Sequence, residues 1–378
     1  MQVYLDNSAT TRPSERVVAA MNRGMTENFY NPSALYKPGL DAQKRLDECR
    51  RLLGHDKQVI FTGSGTEADN LAIIGHCSVI KKSGRVLYSA IEHPAVKQAC
   101  LALKKFGHTA QEIPVTREGI VNIAAFSEML AADVILICVM QVNNETGSIM
   151  PISAMADLRD KLAPQAAIHV DGIQGFLRVD FDMTRLKVQS YALSAHKIHG
   201  PKGVAALIAD KSFKLTPIVF GGGQEKNLRS GTENTQGIAG LNEAVLSYPS
   251  EANAAMRRLK IMLWTLVKEM IPKATVNGFA PEDENAAPHI INLSFAPVRS
   301  DTLLFALEGS GILVSSGSAC SSSKQRVSET LLAMKVPQNE AECALRFSLC
   351  KDTTEDEIRY TAQEIKKHYD LLSKYTRR

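Results

Sequence analysis

The sequence contains 378 residues, 44% of them hydrophobic and 22% charged, with a formal net charge of +4. A chain of this length can bury a large core, in two domains or in one large α/β domain. Basic residues form no long cluster of the kind that binds nucleic acid, and residues 134–142, the longest apolar stretch, are far fewer than the roughly 18 that a membrane helix needs. Residues 1–6 lack the regions of a signal peptide. We therefore expect a cytoplasmic protein that binds neither membrane nor nucleic acid.

Apolar segments alternate with helical patterns from residue 59 to residue 210, which predicts βαβ units and a doubly wound sheet. Helical stripes are predicted at Ala68, Leu71, Ala72, Gly75 and Val79, and at Val96, Ala99, Cys100 and Leu103. The seven predicted strands lie at residues 59–62, 86–90, 110–115, 134–142, 167–170, 190–193 and 204–209. The segment beginning at residue 134 is apolar on both faces, as is typical of a parallel strand covered by helices on each side.

The pattern changes after residue 250. A long helix is predicted at residues 251–270, and a mixed α+β region follows. The last helix begins with a capping box, Thr354-x-x-Glu357. Its predicted buried residues are Ile358, Ala362, Ile365, Tyr369 and Leu372. We predict a large α/β domain at residues 14–250 and a smaller α+β domain formed by residues 1–13 and 251–378.

Polar residues follow five of the predicted strands. Ligands of open α/β sheets bind beyond the carboxyl ends of the strands, where loops and helix N-termini converge. The polar residues there are Gly63, Ser64, Gly65, Thr66, Glu67, Glu92, His93, Asn143, Asn144, Glu145, Asp171, Gln174, Ser194, His196 and Lys197. Their common position predicts one site at this edge of the sheet.

The turn at residues 63–66, Gly-Ser-Gly-Thr, has two interpretations. Its backbone N–H groups and the following helix could hold a phosphate, or Ser64 or Thr66 could simply cap that helix. The turn also fits a dinucleotide fingerprint, Gly63-x-Gly65-x-x-Ala68. The next strand ends without the acidic residue that would bind a ribose, which disfavours a nicotinamide cofactor.

Three further residues of this edge also have two interpretations each. Asp171 ends a buried strand, where a carboxylate needs a partner such as a protonated pyridine nitrogen, although it could also cap a helix. His93 is either a structural loop residue or a catalytic one. Lys197 would ordinarily be a surface residue. Beside a phosphate site and a carboxylate, however, it is a candidate for carrying a carbonyl cofactor.

The seven cysteines include no Cys-x-x-Cys pair, so neither a disulfide framework nor a metal site is predicted. Six of them, Cys49, Cys77, Cys100, Cys138, Cys343 and Cys350, lie within or beside predicted helices and strands. Such cysteines usually behave as small apolar residues. Cys320 is surrounded by serine, glycine and alanine in a loop-like segment. It is either a reactive thiol or an ordinary loop cysteine, and composition slightly favours the second.

A series of motifs runs along nearly the whole chain. They lie at residues 4–11, 31–33, 61–62, 66–72, 92–93, 142–147, 169–174, 196–203, 221–225, 229–234, 315–320 and 345–348. In these motifs the sequence resembles the cysteine desulfurases, which are fold-type I pyridoxal-phosphate enzymes related to the class V aminotransferases. The spacing between Cys320 and Arg346 resembles that of the long-loop branch. The resemblance implies a mostly parallel seven-stranded sheet between helices, with a smaller α+β domain.

The resemblance also implies roles for the matching residues. Lys197 would hold pyridoxal 5′-phosphate covalently, His93 would stack on its ring and move protons, and Asp171 would pair with the pyridine nitrogen. Gln174 would form a hydrogen bond with the ring hydroxyl. Asn144 would contact the cofactor and, together with Arg346, would hold the substrate carboxylate. The phosphate ligands would be Gly65, Thr66, Ser194, His196 and Thr232, the last from the second subunit of a homodimer.

The implied reaction takes sulfur from L-cysteine, releases L-alanine and leaves a persulfide on Cys320 for an acceptor protein. The family usually has alanine at position 65, alanine at 172 and glycine at 195, where this chain has Gly65, Gly172 and Ala195. Residues 31–37 lack a histidine often found there. The sequence also lacks the extended C-terminal tail with which general iron–sulfur members dock a scaffold. This suggests a narrower acceptor, such as a tRNA- or cofactor-thiolating protein.

Three other functions remain open at this stage. A class V aminotransferase or another lyase of the same fold would not use Cys320. A nicotinamide oxidoreductase would use the turn at residues 63–68. A sulfur-relay scaffold would keep the fold and the cofactor without turnover, although nothing in the sequence favours it.

Overall fold

The computed structural model describes residues 1–317 and 327–375. The strands are β1 (Val3–Tyr4), β2 (Gln58–Thr62), β3 (Arg85–Ser89), β4 (Thr109–Ile113), β5 (Val134–Met140), β6 (Ala167–Asp171), β7 (Ser190–Ser194), β8 (Ala205–Ala209), β9 (Thr275–Asn277), β10 (Ile290–Ser294), β11 (Ile312–Leu313) and β12 (Ala344–Ser348). The α-helices are α1 (Glu15–Thr26), α2 (Lys37–Gly54), α3 (Gly65–Cys77), α4 (Pro94–Ala102), α5 (Ile123–Met129), α6 (Ile152–Leu162), α7 (Gln224–Asn227), α8 (Thr235–Leu246), α9 (Ala252–Met270), α10 (Ser300–Gly309), α11 (Glu329–Ala333), α12 (Gln338–Ala341) and α13 (Glu355–Leu372). Two 3₁₀-helices lie at Leu103–Phe106 and Ala195–Lys197.

The central sheet has seven strands in the order β2-β8-β7-β6-β5-β3-β4. All neighbours are parallel except β8, which runs antiparallel to both β2 and β7. The seven predicted strands and the predicted α/β fold class are therefore confirmed. One helical prediction is wrong at its end: α3 stops at Cys77, and Val79 lies beyond it with 38% of its surface exposed.

Helices cover both faces of this sheet because its central strands are apolar on both sides. Along β5, Leu136 and Cys138 pack into one hydrophobic core, whereas Ile137 and Val139 pack into another. Successive side chains of a strand point to opposite faces, so one apolar run supplies both cores. The arrangement leaves the carboxyl ends of β3, β5, β6 and β7 at one edge of the sheet.

A separate hydrophobic core lies in the C-terminal part of the chain. It combines α9 and α13 with the antiparallel sheet β12-β10-β9, and it includes Val3 and Leu5 from the N-terminal segment. The short β1 pairs with β11 in parallel. The predicted division into two domains places these same segments together, although its boundaries stay a prediction.

The capping box of the last helix is confirmed. Thr354 Oγ1 accepts a hydrogen bond from Glu357 N at 3.3 Å, and Thr354 N donates to Glu357 Oε2 at 2.8 Å. Of the predicted apolar face, Ile358, Ala362 and Ile365 are buried. Tyr369 and Leu372 are only half-buried and pack against the same core. Within residues 1–317 and 327–375, no helix has the length and hydrophobicity required to cross a lipid bilayer.

Candidate active site

Lys197 ends the short 3₁₀-helix that follows β7, and the N-terminal segment fixes its amine. The Nζ donates to Ser8 O at 2.5 Å and to Ala9 O at 2.8 Å. Gln174 Nε2 donates to the same Ser8 carbonyl at 2.9 Å. The chain start is therefore part of the site, which the sequence analysis did not predict, and it brings Lys197 next to Gln174.

Asp171 is the buried last residue of β6. Its Oδ1 accepts a hydrogen bond from Ile173 N at 2.9 Å, so it caps a turn as well as ending a strand. Burial raises the pKa of Asp171, while the nearby charges of His93 and Lys197 lower it. Asp171, His93 and Lys197 thus lie close enough to influence one another electrostatically. A buried carboxylate of this kind fits a ring N–H donor such as a protonated pyridine nitrogen.

His93 stands at the beginning of α4. Its Nδ1 accepts a hydrogen bond from Ala95 N at 3.1 Å, which fixes the ring as the helix cap. Because Nδ1 acts as an acceptor, the neutral imidazole carries its proton on Nε2. The bond at Nδ1 supports the structural interpretation of His93, and its catalytic role stays a prediction.

The turn at residues 63–66 caps α3 and packs closely against Ile173 and Ser194 at Gly65. Ser64 Oγ accepts from Glu67 N at 3.1 Å, as the capping interpretation predicts. A Cβ atom added at Gly65 would lie 2.3 Å from Ile173 Cδ1 and 3.6 Å from Ser194 Cβ. Glycine therefore suits position 65 in this chain, where relatives usually have alanine. Gly65 and Ser194 lie side by side, whereas Thr66 is exposed.

His196 and Thr232 complete the predicted phosphate ligands. His196 Nδ1 lies 3.1 Å from Thr10 Oγ1. Burial is the main cause that lowers the pKa of His196 to about 4, so its imidazole is neutral at physiological pH. Thr232 is exposed between Gly231 and the start of α8. Its predicted role in a second subunit stays a prediction.

Arg346 lies on β12 with only 3% of its surface exposed. Its Nη1 donates to Asn144 O at 2.9 Å, and its Nη2 forms an ion pair with Asp6 Oδ1 at 2.7 Å. The structure therefore places Arg346 beside Asn144, as expected for a shared substrate site. The ion pair with Asp6 was not predicted, because the two residues are far apart in the sequence.

Cys320 lies outside the described residues, but both flanking segments are placed. Ser315 and Arg346 exchange backbone hydrogen bonds at 3.2 and 2.7 Å. On the other side, Ser328 Oγ donates to Glu145 Oε2 at 2.6 Å. The same Glu145 oxygen lies 3.1 Å from a Cβ added at Gly317. Both flanks thus end beside Glu145, the neighbour of Asn144. Of the other cysteines, five are buried and Cys350 is partly exposed.

A layer of buried polar residues lies beneath Asp171, and two of its members, Asp69 and His169, were not predicted as site residues. Glu92 Oε1 accepts from Ser89 Oγ at 2.5 Å and from Met140 N at 2.8 Å. Asp69 Oδ1 lies 3.2 Å from His169 Nε2. Within the described chain, Glu92 Oε2 and Asp69 Oδ2 are buried without hydrogen-bond partners. His169 lies two positions before Asp171 on β6, so both side chains face the same side of the sheet.

These buried groups favour their neutral forms. Burial raises the pKa of Glu92 to about 8, and it raises that of Asp69 well above its ordinary value, with a further contribution from Asp171 and Glu92. Burial also lowers the pKa of His169 to about 3. Glu92 had a sequence signal, since it precedes His93 at a strand end. Asp69 and His169 had no sequence signal that marks them as buried ionisable residues, because a local pattern does not reveal that a charged group is buried.

Arg178 was also missed. It is buried, its Nη2 donates to the Lys197 carbonyl oxygen, and its Nη1 lies 3.4 Å from Gln174 Oε1. Arg178 thus contacts both the backbone of Lys197 and the side chain of Gln174 and helps to fix their positions.

Comparisons with known proteins agree with this fold. A family model described as aminotransferase class-V matches residues 3–360. The chain is 35% identical over 372 residues to cysteine desulfurase NifS of Azotobacter vinelandii, covering 96% of this chain and 91% of that protein. It is 34% identical over 374 residues to putative cysteine desulfurase IscS 1 of Bacillus subtilis, covering 96% and 97%. A solved NifS-like protein superimposes with a TM-score of 0.91 and 30% identity, covering 98% of this chain and 100% of that one.

Fold and site together define a protein of the class V aminotransferase type, a class that depends on pyridoxal phosphate. Within that class the chain belongs to the cysteine desulfurase family.

Proposed function

We propose that this chain is a pyridoxal-phosphate-dependent cysteine desulfurase that converts L-cysteine to L-alanine and collects the sulfur on Cys320. The observation that carries the proposal is the grouping of Lys197, Asp171 and His93 at one edge of the sheet, with Lys197 Nζ held by two backbone carbonyls. An amine can hold the cofactor, a buried carboxylate can meet its ring nitrogen, and an imidazole can move protons.

The residues of the site fit the cofactor. Lys197 Nζ would hold it covalently, Asp171 would meet its ring nitrogen and Gln174 its ring hydroxyl. The proposed phosphate ligands are Gly65, Thr66, Ser194, His196 and Thr232, with Thr232 supplied by a second copy of the chain. When bound, pyridoxal phosphate supplies an electron-withdrawing ring that weakens the carbon–sulfur bond of an amino acid attached to it.

The chain's own residues then bind the substrate and move its protons. Arg346 and Asn144 would orient the substrate carboxylate, with Arg346 exchanging part of its bonding to Asp6 and Asn144 O for the new anion. His93 Nε2 carries the mobile imidazole proton, because Nδ1 is bonded to Ala95 N. Lys197 Nζ is a second group that can hold or move a proton at the substrate.

Cys320 would attack the substrate sulfur as a thiolate. A new sulfur–sulfur bond forms, the substrate's carbon–sulfur bond breaks, and the carbon fragment takes up a proton to leave as alanine. Cys320 follows Gly317 by three positions. Cys320 lies outside the described residues, and its role as the nucleophile rests on the family resemblance.

The homodimer, the cytoplasmic location and the sulfur acceptor are parts of the same proposal. The role of Thr232 requires a second copy. The acceptor would be a protein of iron–sulfur cluster assembly or of tRNA or cofactor thiolation. The family resemblance supports all three.

Replacing Cys320 by serine tests the proposal. We expect C320S to bind pyridoxal phosphate, seen in its absorbance spectrum, but to lose release of alanine from cysteine. The matched control is Cys350→Ser, which changes the one cysteine of the described chain that is partly exposed and should leave activity unchanged. Full activity of C320S would favour a lyase that does not use this thiol. A protein that remains colourless with pyridoxal phosphate would refute the proposal entirely.

A further inference from the structure

Residues 219–231 form a loop that is closed by its own hydrogen bonds, and we call it the 219–231 loop. Ser230 N donates to Val219 O at 3.2 Å. Gly231 N donates to the side-chain oxygen of Gln224 at 2.8 Å. Thr232 follows this loop directly, so the position of the loop determines where Thr232 stands.

The loop is fixed to the central sheet through Glu225. Glu225, Lys226 and Asn227 have φ angles of 47°, 56° and 63°, so the short segment α7 is not a regular right-handed helix. Consecutive non-glycine residues rarely adopt this conformation, and surrounding contacts must hold them in it. Here the buried Glu225 carboxylate accepts from Arg50 Nη2 at 2.7 Å and from Phe61 N, on β2, at 3.1 Å.

A second connection joins the loop to the proposed phosphate turn. Glu67 Oε2 accepts from Gly63 N at 2.8 Å, within the turn itself. Glu67 Oε1 accepts from Arg229 Nε at 2.7 Å, and Arg229 Nη2 lies 3.4 Å from Oε2. One carboxylate thus bonds the turn and the loop at once, with a two-pronged guanidinium contact that fixes direction as well as distance.

We infer that the Glu67–Arg229 ion pair couples the phosphate turn to the 219–231 loop, so that cofactor binding and association of two copies of the chain strengthen each other. This inference rests on the proposed function, in which the turn of one copy and Thr232 of the other hold the same phosphate. Phosphate binding fixes the turn, Glu67 holds Arg229, and Arg229 sets the position of Thr232 for the second copy. Coupling between two binding events is reciprocal.

The surface of the loop agrees with this inference. Phe220 lies on the loop with 81% of its surface exposed, and Val219 beside it is also exposed. A second copy of the chain would cover these apolar side chains. The loop would therefore respond to both events, through Arg229 on the cofactor side and through Phe220 and Thr232 on the side of the second copy.

The test compares the dimer dissociation constant of the full chain with and without pyridoxal phosphate, by sedimentation over a dilution series. For the unmodified chain we expect the cofactor to tighten the dimer about five-fold or more. The quantity compared is the ratio of the dimer dissociation constant without cofactor to that with cofactor. In Glu67→Gln, Arg229→Gln and the double variant, this ratio should fall to less than about two-fold. The double variant should be no worse than either single variant, because all three break the same link.

The control is Arg85→Gln, which breaks a similar two-pronged pair with Asp133 at the amino end of β3, away from the site. It should keep the full ratio. Arg229→Lys, which keeps the charge but loses the fork, should give an intermediate ratio and guards against a glutamine variant that folds poorly. An unchanged ratio in R229Q and R229K would overturn the inference while leaving the desulfurase proposal intact. Absence of cofactor binding in the unmodified chain would instead overturn the proposed function.

Discussion

The carboxyl groups of the site lie in two layers that avoid the cost of buried charge in opposite ways. In the upper layer, at the edge of the sheet, Asp6 pairs with the Arg346 guanidinium at 2.7 Å. In the lower layer, Asp69 and Glu92 are buried, each with one oxygen lacking a hydrogen-bond partner within the described residues. Ion pairing stabilises the first group, and protonation stabilises the second. Residue type alone therefore does not decide the charge of a carboxyl group in this protein.

Removing the cation of the upper layer should have the largest effect. Arg346→Ala leaves Asp6 without its partner and removes the proposed anchor of the substrate carboxylate. We expect the free energy of unfolding to fall by about 3 kcal/mol and kcat/KM for cysteine to fall about 100-fold or more. Urea denaturation and initial rates measure the two effects. Arg346→Lys should give an intermediate loss, and unchanged kinetics in R346A would remove Arg346 from the substrate site.

The lower layer should respond to loss of its hydrogen bonds rather than to loss of charge. Glu92→Ala leaves Ser89 Oγ and Met140 N without an acceptor, which should cost about 2–3 kcal/mol of unfolding free energy. Glu92→Gln keeps an acceptor oxygen and should cost less than about 1 kcal/mol. Both are measured by urea denaturation at pH 7. If glutamine proves as costly as alanine, then Glu92 is ionised in the folded protein and the two-layer comparison is wrong.

The pH dependence of stability tests the same point. The pKa of Glu92 is about 8 in the folded protein, against 4.5 for an ordinary glutamate. Between these values the folded state holds a proton that the unfolded state has lost. The contribution of Glu92 is fully present below pH 4.5 and is lost as pH rises through about 8.

Between pH 4.5 and about 8, proton loss from Glu92 should lower the free energy of unfolding by up to roughly 1.4 kcal/mol per pH unit. Glu92→Gln should remove this contribution, so that its free energy of unfolding falls less steeply with pH. The measurement is urea denaturation of both chains at several pH values. Parallel stability curves for E92Q and the unmodified chain would show that Glu92 does not hold this proton.

Replacing aspartate by asparagine should lower the stability of the protein by different amounts in the two layers. The smallest loss is expected at Asp69. Asp69→Asn replaces a neutral acid by a neutral amide next to His169, so we expect a loss below about 1 kcal/mol. Asp6→Asn leaves the buried Arg346 guanidinium without an anion and should cost more. Thermal unfolding of both variants at pH 7 gives the comparison. A larger loss in D69N than in D6N would reverse the assignment of charge to the layers.

The sheet was predictable because its signals are local. Apolar runs bounded by turn residues predict all seven strands of the large sheet. Lys197, His93 and Asp171 were predicted to share one site because each lies at or just after the end of a strand. Parallel strands bring their carboxyl ends to one edge of the sheet. The end of α3 was placed too far along because Val79 continues the apolar spacing past the point where the helix stops.

The contacts of Asp6 in the upper layer and the burial of Asp69 in the lower layer could not be predicted in this way. The pairing of Asp6 with Arg346 depends on how the two ends of the chain fold onto each other. Asp69 looks like an ordinary helical aspartate, and only the packing of α3 against β6 reveals that it is buried beside His169. The ionisation of such groups is a property of the assembled core, not of the local sequence.

The most direct test of the central claim follows the sulfur atom itself. The full chain, loaded with pyridoxal phosphate, is incubated with sulfur-34-labelled L-cysteine, and the peptide that contains residue 320 is analysed by mass spectrometry without reductant. The account predicts one added labelled sulfur on Cys320, formed together with alanine and absent in Lys197→Ala. Alanine production with no labelled sulfur on Cys320 would contradict it.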